Sequence, residues 1–302
     1  MRDIPRLSAC VKLNGIPNKP IRMLKLPMHT CRIAFIGGGN MGASLVGGLT
    51  ADGYEPDNII VAEPNDERRA SLAARFRVGT TADNREAAQE ADVVLLAVKP
   101  QALRAVAEGL QDPIQHRKPL VISIAAGIRE TDLQAWLGGD VALVRTMPNT
   151  PALIQTGATV LHAAPQVSAE QRDLAESILR AVGLTLWVED EALLDAVTAL
   201  SGSGPAYFFL IMEILAQAGE RLGLPTDTAR LLTLQTAFGA AKMALESSDD
   251  PATLRRHVTS PGGTTERAIE TLEDGGIHEL FRRALTAARD RSRELSELLG
   301  KP

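Results

Sequence analysis

Cysteine, histidine and aromatic residues are all scarce in this 302-residue chain, which holds two cysteines, five histidines and 3% aromatics. Cys10 and Cys31 cannot build a disulfide framework, and their scarcity fits a reducing, cytoplasmic compartment. His29, His116, His162, His257 and His278 are scattered, with no pair at metal-ligand spacing, so no metal site of Cys and His is expected. So few rings give no stacking platform for single-stranded nucleic acid. The formal charge of −5 argues against general nucleic-acid binding as well. No uninterrupted apolar run approaches a membrane span. The longest, Ala206 to Met212, is cut by Glu213, so no membrane partner is expected. Internal repeats and low-complexity tracts are also lacking. What remains is ordinary for a globular chain: 45% hydrophobic and 23% charged residues, at a length suited to two domains.

The charge is unevenly spread. Residues 1–30 hold six basic residues against one acid, Asp3, a net +5 that leaves −10 for the other 272 residues. Pro5, Pro17, Pro20 and Pro27 break any helix there. The segment lacks the apolar core of a secretory signal. It is expected to be a disordered extension, or a stretch upstream of a true start at Met28. A basic docking arm or targeting peptide is the other reading.

From Arg32 the pattern alternates. Short apolar runs at 32–37, 58–62, 92–98, 120–124 and 141–145 are separated by helical stretches, among them Asn40–Asp52 and Asp66–Arg75. Continuous apolar strands between helices mark a parallel sheet covered on both faces. Runs at 157–161 and 185–188, flanking a helix over 168–182, add further strands. After about Asp190 only helices are expected, over 206–222, 227–246, 264–272 and 278–299. The first two are apolar most of the way round, which calls for burial on more than one side and suggests an obligate dimer. A self-contained bundle is the alternative. The expected fold is α/β: residues 31–189 a Rossmann-type domain, and 190–302 an all-α dimerisation domain.

Gly37-Gly-Gly39-Asn-Met-Gly42 fits G-x-G-x-x-G directly after a strand and at the opening of a helix. Glycines permit the tight turn and the close approach of a pyrophosphate, and the helix end offers N–H groups and a positive dipole. Glu63 ends the second strand, 26 residues after Gly37, where an acid usually accepts from a ribose 2′-OH and disfavours a 2′-phosphate. Arg68 and Arg69 follow closely and point the other way, and Pro64 can turn Glu63 aside. NADP(H) and NAD(H) both stay open on these residues.

Ligands of open parallel sheets lie past the carboxyl ends of the strands. Val98-Lys99-Pro100-Gln101, Ser123-Ile-Ala125-Ala-Gly127 and Arg145-Thr-Met-Pro-Asn149-Thr-Pro151 reach that edge. Val98, Lys99, Pro100, Ala125, Gly127 and Asn149 therefore join Gly37, Gly39, Asn40, Met41, Gly42 and Glu63 as candidate cofactor contacts. In the helical half, Ala199–Ala206 and Thr259-Ser-Pro-Gly-Gly-Thr-Thr265 each precede a helix. The second gathers hydroxyls and glycines at a helix start, a cradle suited to a small carboxylate. The plainer reading of it is a capped turn, with Ser260 or Thr264 as the cap.

These blocks together resemble the pyrroline-5-carboxylate reductase family of proline biosynthesis. The matching stretches are Phe35–Gly42, Val98–Gln101, Arg145–Pro151, Ser201-Gly-Ser-Gly-Pro-Ala-Tyr207 and Val258-Thr-Ser-Pro-Gly-Gly-Thr-Thr-Glu266, in the family's order between Arg32 and about Leu299. The resemblance implies reduction of 1-pyrroline-5-carboxylate to L-proline by NAD(P)H. It implies an interlocked homodimer that can assemble to a decamer, with the active site between one chain's cofactor domain and the helical region of the dimer. It maps the carboxylate-holding loop onto Ser260, Gly262, Gly263, Thr264 and Thr265, with the Thr265 hydroxyl facing the ring nitrogen. The family mostly prefers NADPH, and Glu63 sits awkwardly with that preference.

Two other readings compete with this one. β-Hydroxyacid dehydrogenases share the architecture and resemble G-x-G-x-x-x-K at the long helix, but Gly202-Ser-Gly-Pro-Ala-Tyr-Phe208 puts phenylalanine where the acid/base lysine would be. A non-catalytic dinucleotide sensor would have no use for the Thr259–Thr265 loop.

Overall fold

The computed structural model describes residues 31–300, and the reading of residues 1–30 as an extension lies outside them. Two compact units are present: residues 31–205 with 283–300, and residues 206–282.

Eight strands organise the first unit: β1 (Ile33–Ile36), β2 (Ile59–Ala62), β3 (Gly79–Thr81), β4 (Val93–Leu96), β5 (Leu120–Ser123), β6 (Leu143–Met147), β7 (Gly157–Ala163) and β8 (Gly183–Trp187). They form one sheet in the order β3-β2-β1-β4-β5-β6-β7-β8, parallel from β3 through β6. The first six have the order of a doubly wound dinucleotide fold, which reverses direction between β1 and β4. Helices α1 (Asn40–Ala51), α2 (Asp66–Phe76), α3 (Asn84–Ala88), α4 (Pro100–Gly109), α5 (Gln111–Arg117), α6 (Glu130–Trp136) and α7 (Ala169–Arg180) connect the strands.

Side chains alternate across a strand, so each strand feeds two cores. Ile33 and Phe35 pack with Leu45 and Leu49 of α1 and Ile178 and Leu179 of α7. Ala34 and Ile36 pack with Leu103 of α4, Ile114 of α5 and Leu133 of α6 on the other face. That double burial is why these strands read as continuous apolar runs.

The last two strands depart from the expected parallel sheet. β7 pairs antiparallel with β6, and β8 pairs parallel with β7, so both run against the rest. Only a short 3₁₀ turn, Thr150–Ile154, separates β6 from β7. That is too short for the crossover a parallel partner needs. The α7 helix then supplies such a crossover between β7 and β8.

The units also divide differently from the boundary expected at residue 190. Helix α8 (Leu193–Val197) and a π-helical turn, Thr198–Gly202, belong with the sheet and bury Leu194 and Ala199. The end of α13 (Ile277–Leu299) belongs there too, burying Ser292 and Ser296.

The second unit is helical throughout, formed by most of α9 (Gly204–Arg221), by α10 (Thr226–Glu246), α11 (Pro251–His257) and α12 (Thr264–Asp274), and by the start of α13. Helix α11 was not expected, although Asp250-Pro251 carries its signal. Asp250 caps it through the N–H groups of Ala252 and Thr253, with proline at the first helical position. The Thr253 N–H and then its hydroxyl hold the Asp250 carboxyl below its ordinary range.

By length and composition the helical path Leu193–Arg221 passes as a membrane-crossing segment, with an 18-residue window of mean hydropathy 1.4 of which 11% is buried. This differs from the expectation drawn from runs, because an average tolerates Glu213 where an uninterrupted run does not.

Across 206–282 only Ala229 is buried, whereas Phe208, Phe209, Ile214, Leu231 and Phe238 are each more than half exposed. A helical unit with that surface lacks a core of its own and calls for an apolar partner. If the partner is a second copy, the thermal midpoint should rise with protein concentration. Calorimetry over a hundredfold concentration range checks this, and a constant midpoint with monomeric light scattering contradicts it.

Candidate active site

The carboxyl ends of β1, β4, β5 and β6 lie along one edge of the sheet. Gly37 leaves β1 at φ +106°, a conformation that favours glycine. A Cβ there would stand 2.7 Å from the Ala97 carbonyl oxygen just past β4. At Gly42, in the first turn of α1, a Cβ would stand 2.4 Å from the Gly37 oxygen. These two glycines are required by the turn itself. Gly39 is different: a Cβ there would meet nothing within 4 Å, although Gly39 is the N-cap residue of α1. No side chain caps this helix. The N–H groups of Asn40, Met41 and Gly42, in its first turn, lack intrahelical acceptors by helix geometry. Open space over Gly39 beside an uncapped helix end fits a pyrophosphate, in charge and in shape.

The other strand ends carry the remaining expected residues. Lys99 is exposed and precedes α4, with Pro100 at its first position and Val98 half-buried behind. Ala125 is buried. A Cβ on Gly127, at φ +71°, would approach Leu295 and Leu299 at 3.7 and 3.8 Å, so this glycine faces the last helix. Asn149 is engaged within the chain. Its oxygen accepts the Ala158 N–H at 2.9 Å, and its nitrogen donates to the Ser201 carbonyl and hydroxyl oxygens at 3.3 Å. It thereby ties the Arg145–Pro151 loop to the Ser201 loop.

Glu63 is buried, 5% exposed. Oε2 accepts the Gly38 N–H at 3.0 Å and Oε1 accepts the Asn65 N–H at 3.1 Å. Gly38 and Asn65 went unremarked in the sequence reading.

Arg145 was expected at the end of a strand, opening a loop, with no partner assigned; it is buried and ion-paired with Glu191. The same Glu191 oxygen accepts the Glu130 N–H at 2.6 Å. Asp195 accepts from the Ser292 hydroxyl at 2.7 Å. These contacts fasten α8 to β6, to the start of α6 and to the end of α13. Residue type alone could not reveal them, since each acid lies far from its partner in sequence.

The Thr259–Thr265 loop lies in the helical unit. Gly262 sits at φ +71°, and its N–H donates to Glu266 Oε2 at 2.6 Å. The Gly263 N–H donates to the Ser260 carbonyl at 2.9 Å. The residue capping α12 is Gly263, without a side-chain cap bond, so neither Ser260 nor Thr264 caps it. The Ser260, Thr264 and Thr265 hydroxyls are therefore not spent on capping this helix end. Thr265 is half-buried, Ser260 and Thr264 exposed.

Comparison with known proteins agrees with this geometry. Residues 191–295 match the family model described as pyrroline-5-carboxylate reductase dimerisation. Residues 32–127 match the model described as NADP oxidoreductase coenzyme F420-dependent. The chain is 54% identical over 274 residues to a pyrroline-5-carboxylate reductase of Pseudomonas aeruginosa, covering 91% of this chain and 100% of that one. Its fold is similar to that of a pyrroline-5-carboxylate reductase from Coxiella burnetii, with TM-score 0.86, 51% identity, and 88% and 99% of the two chains covered. It is also similar to a Plasmodium falciparum pyrroline carboxylate reductase with NADP bound, with TM-score 0.80, 27% identity, and 89% and 99% covered.

Gly39→Ala and Gly42→Ala should separate binding from folding. Gly39→Ala should leave the thermal midpoint unchanged and weaken dinucleotide binding about tenfold, a loss near 1.4 kcal/mol. Gly42→Ala should lower both, since the added carbon meets a backbone carbonyl. Calorimetric melting and titration with dinucleotide measure the two effects.

Proposed function

The chain belongs to the pyrroline-5-carboxylate reductase family, and we propose that its glycine loop and its hydroxyl-rich loop divide the reaction between cofactor and substrate. The enzyme reduces 1-pyrroline-5-carboxylate to L-proline, with NADP(H) as cofactor. Its helical region is a dimerisation domain, so the protein is an oligomer. We extend this to a homodimer able to assemble further, to a decamer, in the cytoplasm, and to NAD(H) as a second cofactor. The functional division we favour is residues 31–189 for dinucleotide and 190–302 for dimerisation and substrate.

The observation that carries the cofactor assignment is the open space over Gly39 at the uncapped start of α1. Gly37, Gly39, Asn40, Met41 and Gly42 would hold the pyrophosphate through backbone N–H groups. Val98, Lys99, Pro100 and Ala125 would line the remainder of the strand edge. We assign Asn149 and Gly127 to supporting that edge, because their neighbours lie within the protein. When bound, the reduced nicotinamide supplies the hydride that adds to the carbon of the C=N bond.

The protein's own task is to bind, orient and handle one proton. In the substrate loop the Gly262 and Gly263 N–H groups are engaged by Glu266 and Ser260. The substrate carboxylate is therefore assigned to the N–H groups opening α12 and to the Ser260 and Thr264 hydroxyls, with Gly262 and Gly263 shaping the turn. Thr265 is assigned to the ring nitrogen, where its hydroxyl orients the imine and holds the proton that nitrogen carries in the product. A protonated imine is already electrophilic, so no strong general acid is needed. That agrees with the lack of an acid/base lysine at Phe208, the feature that would favour a hydroxyacid dehydrogenase.

Purified enzyme should oxidise NADPH on addition of 1-pyrroline-5-carboxylate, followed by loss of absorbance; no turnover with either NADPH or NADH overturns the assignment. Thr265→Ala should lower kcat/KM by about ten- to a hundredfold, as loss of a hydrogen bond to a charged group would. Thr265→Ser should restore most of it, with an unchanged melting curve in both.

A further inference from the structure

We propose that Arg68 is the residue that selects the cofactor's 2′-phosphate, and that Glu63 is a positioning residue turned into the protein rather than a ribose acceptor. This rests on the dinucleotide reading of the glycine loop. An acid at the end of the second strand ordinarily signals NAD, since it accepts from the 2′-OH and repels a phosphate there. Here that acid is committed elsewhere. Its two oxygens each accept a backbone N–H, one from Gly38 in the glycine loop and one from Asn65 at the cap of α2. The carboxylate thus clasps the two loops that flank the adenosine end of a dinucleotide site. Its charge is met by two amide dipoles and by Arg68, whose Nη1 lies 4.0 Å from Oε1. Gly38 makes the approach feasible, because a Cβ there would stand 3.1 Å from that of Glu63 and 2.5 Å from Leu72 Cδ1.

The two arginines that follow are not equivalent. Arg69 is bound on every side: Nη1 donates to the carbonyl oxygens of Glu63 and Pro64 at 2.7 and 3.0 Å, and Nη2 to Asp66 Oδ1 at 2.5 Å. It closes the turn between β2 and α2, with its side chain 22% exposed. Arg68 has its backbone N–H on the Asn65 cap at 2.9 Å, which fixes the start of its side chain. Its side chain is 65% exposed, and Nη1 lies beyond hydrogen-bond reach of Glu63. A permanently charged, planar fork standing in solvent beside an acid whose two oxygens are already engaged is suited to a phosphate monoester.

Isothermal titration of the whole enzyme with NADP⁺ and NAD⁺ tests this without recourse to turnover. Wild type should bind NADP⁺ more tightly. Arg68→Ala should weaken NADP⁺ about ten- to a hundredfold, the loss of a charge-assisted contact, and leave NAD⁺ within about twofold. Glu63→Gln keeps the shape but offers one oxygen to two N–H donors, so it should weaken both ligands alike and preserve their ratio. Arg69→Ala should lower the thermal midpoint and also preserve the ratio. The proposal is overturned if Arg68→Ala weakens both ligands equally, if Arg69→Ala alone erases the preference, or if Glu63→Gln tightens NADP⁺ while loosening NAD⁺. It is overturned too if wild type prefers NAD⁺. Failure of wild type to bind either dinucleotide would instead remove the reading of the glycine loop on which the proposal stands.

Discussion

The edge of the sheet proposed for the cofactor depends on how closely α1 approaches β1 and β4. Gly37 lies against the Ala97 carbonyl and Gly42 against the Gly37 carbonyl, at distances no side chain tolerates. Given that approach, the α1 N-terminus opens at the point where the strand order reverses between β1 and β4. The strand ends then fall into place through the ladder itself. The Gly37 N–H bonds to the Ala62 oxygen, Ala97 to Ile36 and Ile124 to Leu96, at 2.8, 2.8 and 3.2 Å. The Glu63 clasp adds the β2–α2 loop to the same scaffold. The proposed cofactor surface is therefore mostly backbone, which explains how a chain poor in histidine and cysteine can build a redox site.

The parts of the fold that were legible are those in which local sequence and tertiary environment agree. β1, β4 and β5 are buried on both faces, and Ile33–Ile36, Val93–Leu96 and Leu120–Ser123 say so by their composition. The α2 helix is legible as a charged stretch after a strand, and in the structure its Asn65 cap and acidic first turn hold it. β3 escaped notice because Gly-Thr-Thr owes its strand to β2 alongside rather than to its own side chains. The direction of β7 and β8 was hidden for a similar reason: apolar patterning gives burial, whereas direction follows from the length of a connection. At the site, the glycine positions could be read from spacing, but the orientation of Glu63 could not. Whether an acid faces a ribose or a pair of amides is decided by loops that meet only in the folded chain.

The helical unit poses the opposite problem, since its sequence states plainly what a single chain leaves undone. Phe208, Phe209, Leu210, Ile214 and Leu215 are all more than half exposed, far more apolar surface than a soluble monomer ordinarily shows. The same composition gives Leu193–Arg221 the hydropathy of a membrane-crossing helix. Its match to a dimerisation model identifies the partner that surface needs as protein. Lipid and a second protein chain present similar apolar environments, so composition alone does not separate them. What separates them here is the match of residues 191–295 to a dimerisation model.

Glu266 gives the loop proposed for the substrate a further physical meaning. The Gly262 N–H, offered from a positive-φ glycine, takes a carboxylate of its own chain at 2.6 Å. A backbone amide that draws in an internal carboxylate has the polarity to hold an external one. Because Glu266 lies on α12 itself, its charge also favours the positive end of that helix. A carboxylate arriving there would either displace Glu266 or settle on the N–H groups opening α12 and the Ser260 and Thr264 hydroxyls, as proposed above. The second course leaves a negative charge beside the bound substrate. That charge would stabilise the cationic form of an imine nitrogen, the form that accepts hydride most readily. The loop would then contribute electrostatics as well as position, without any group in it having to donate a proton from a shifted pKa.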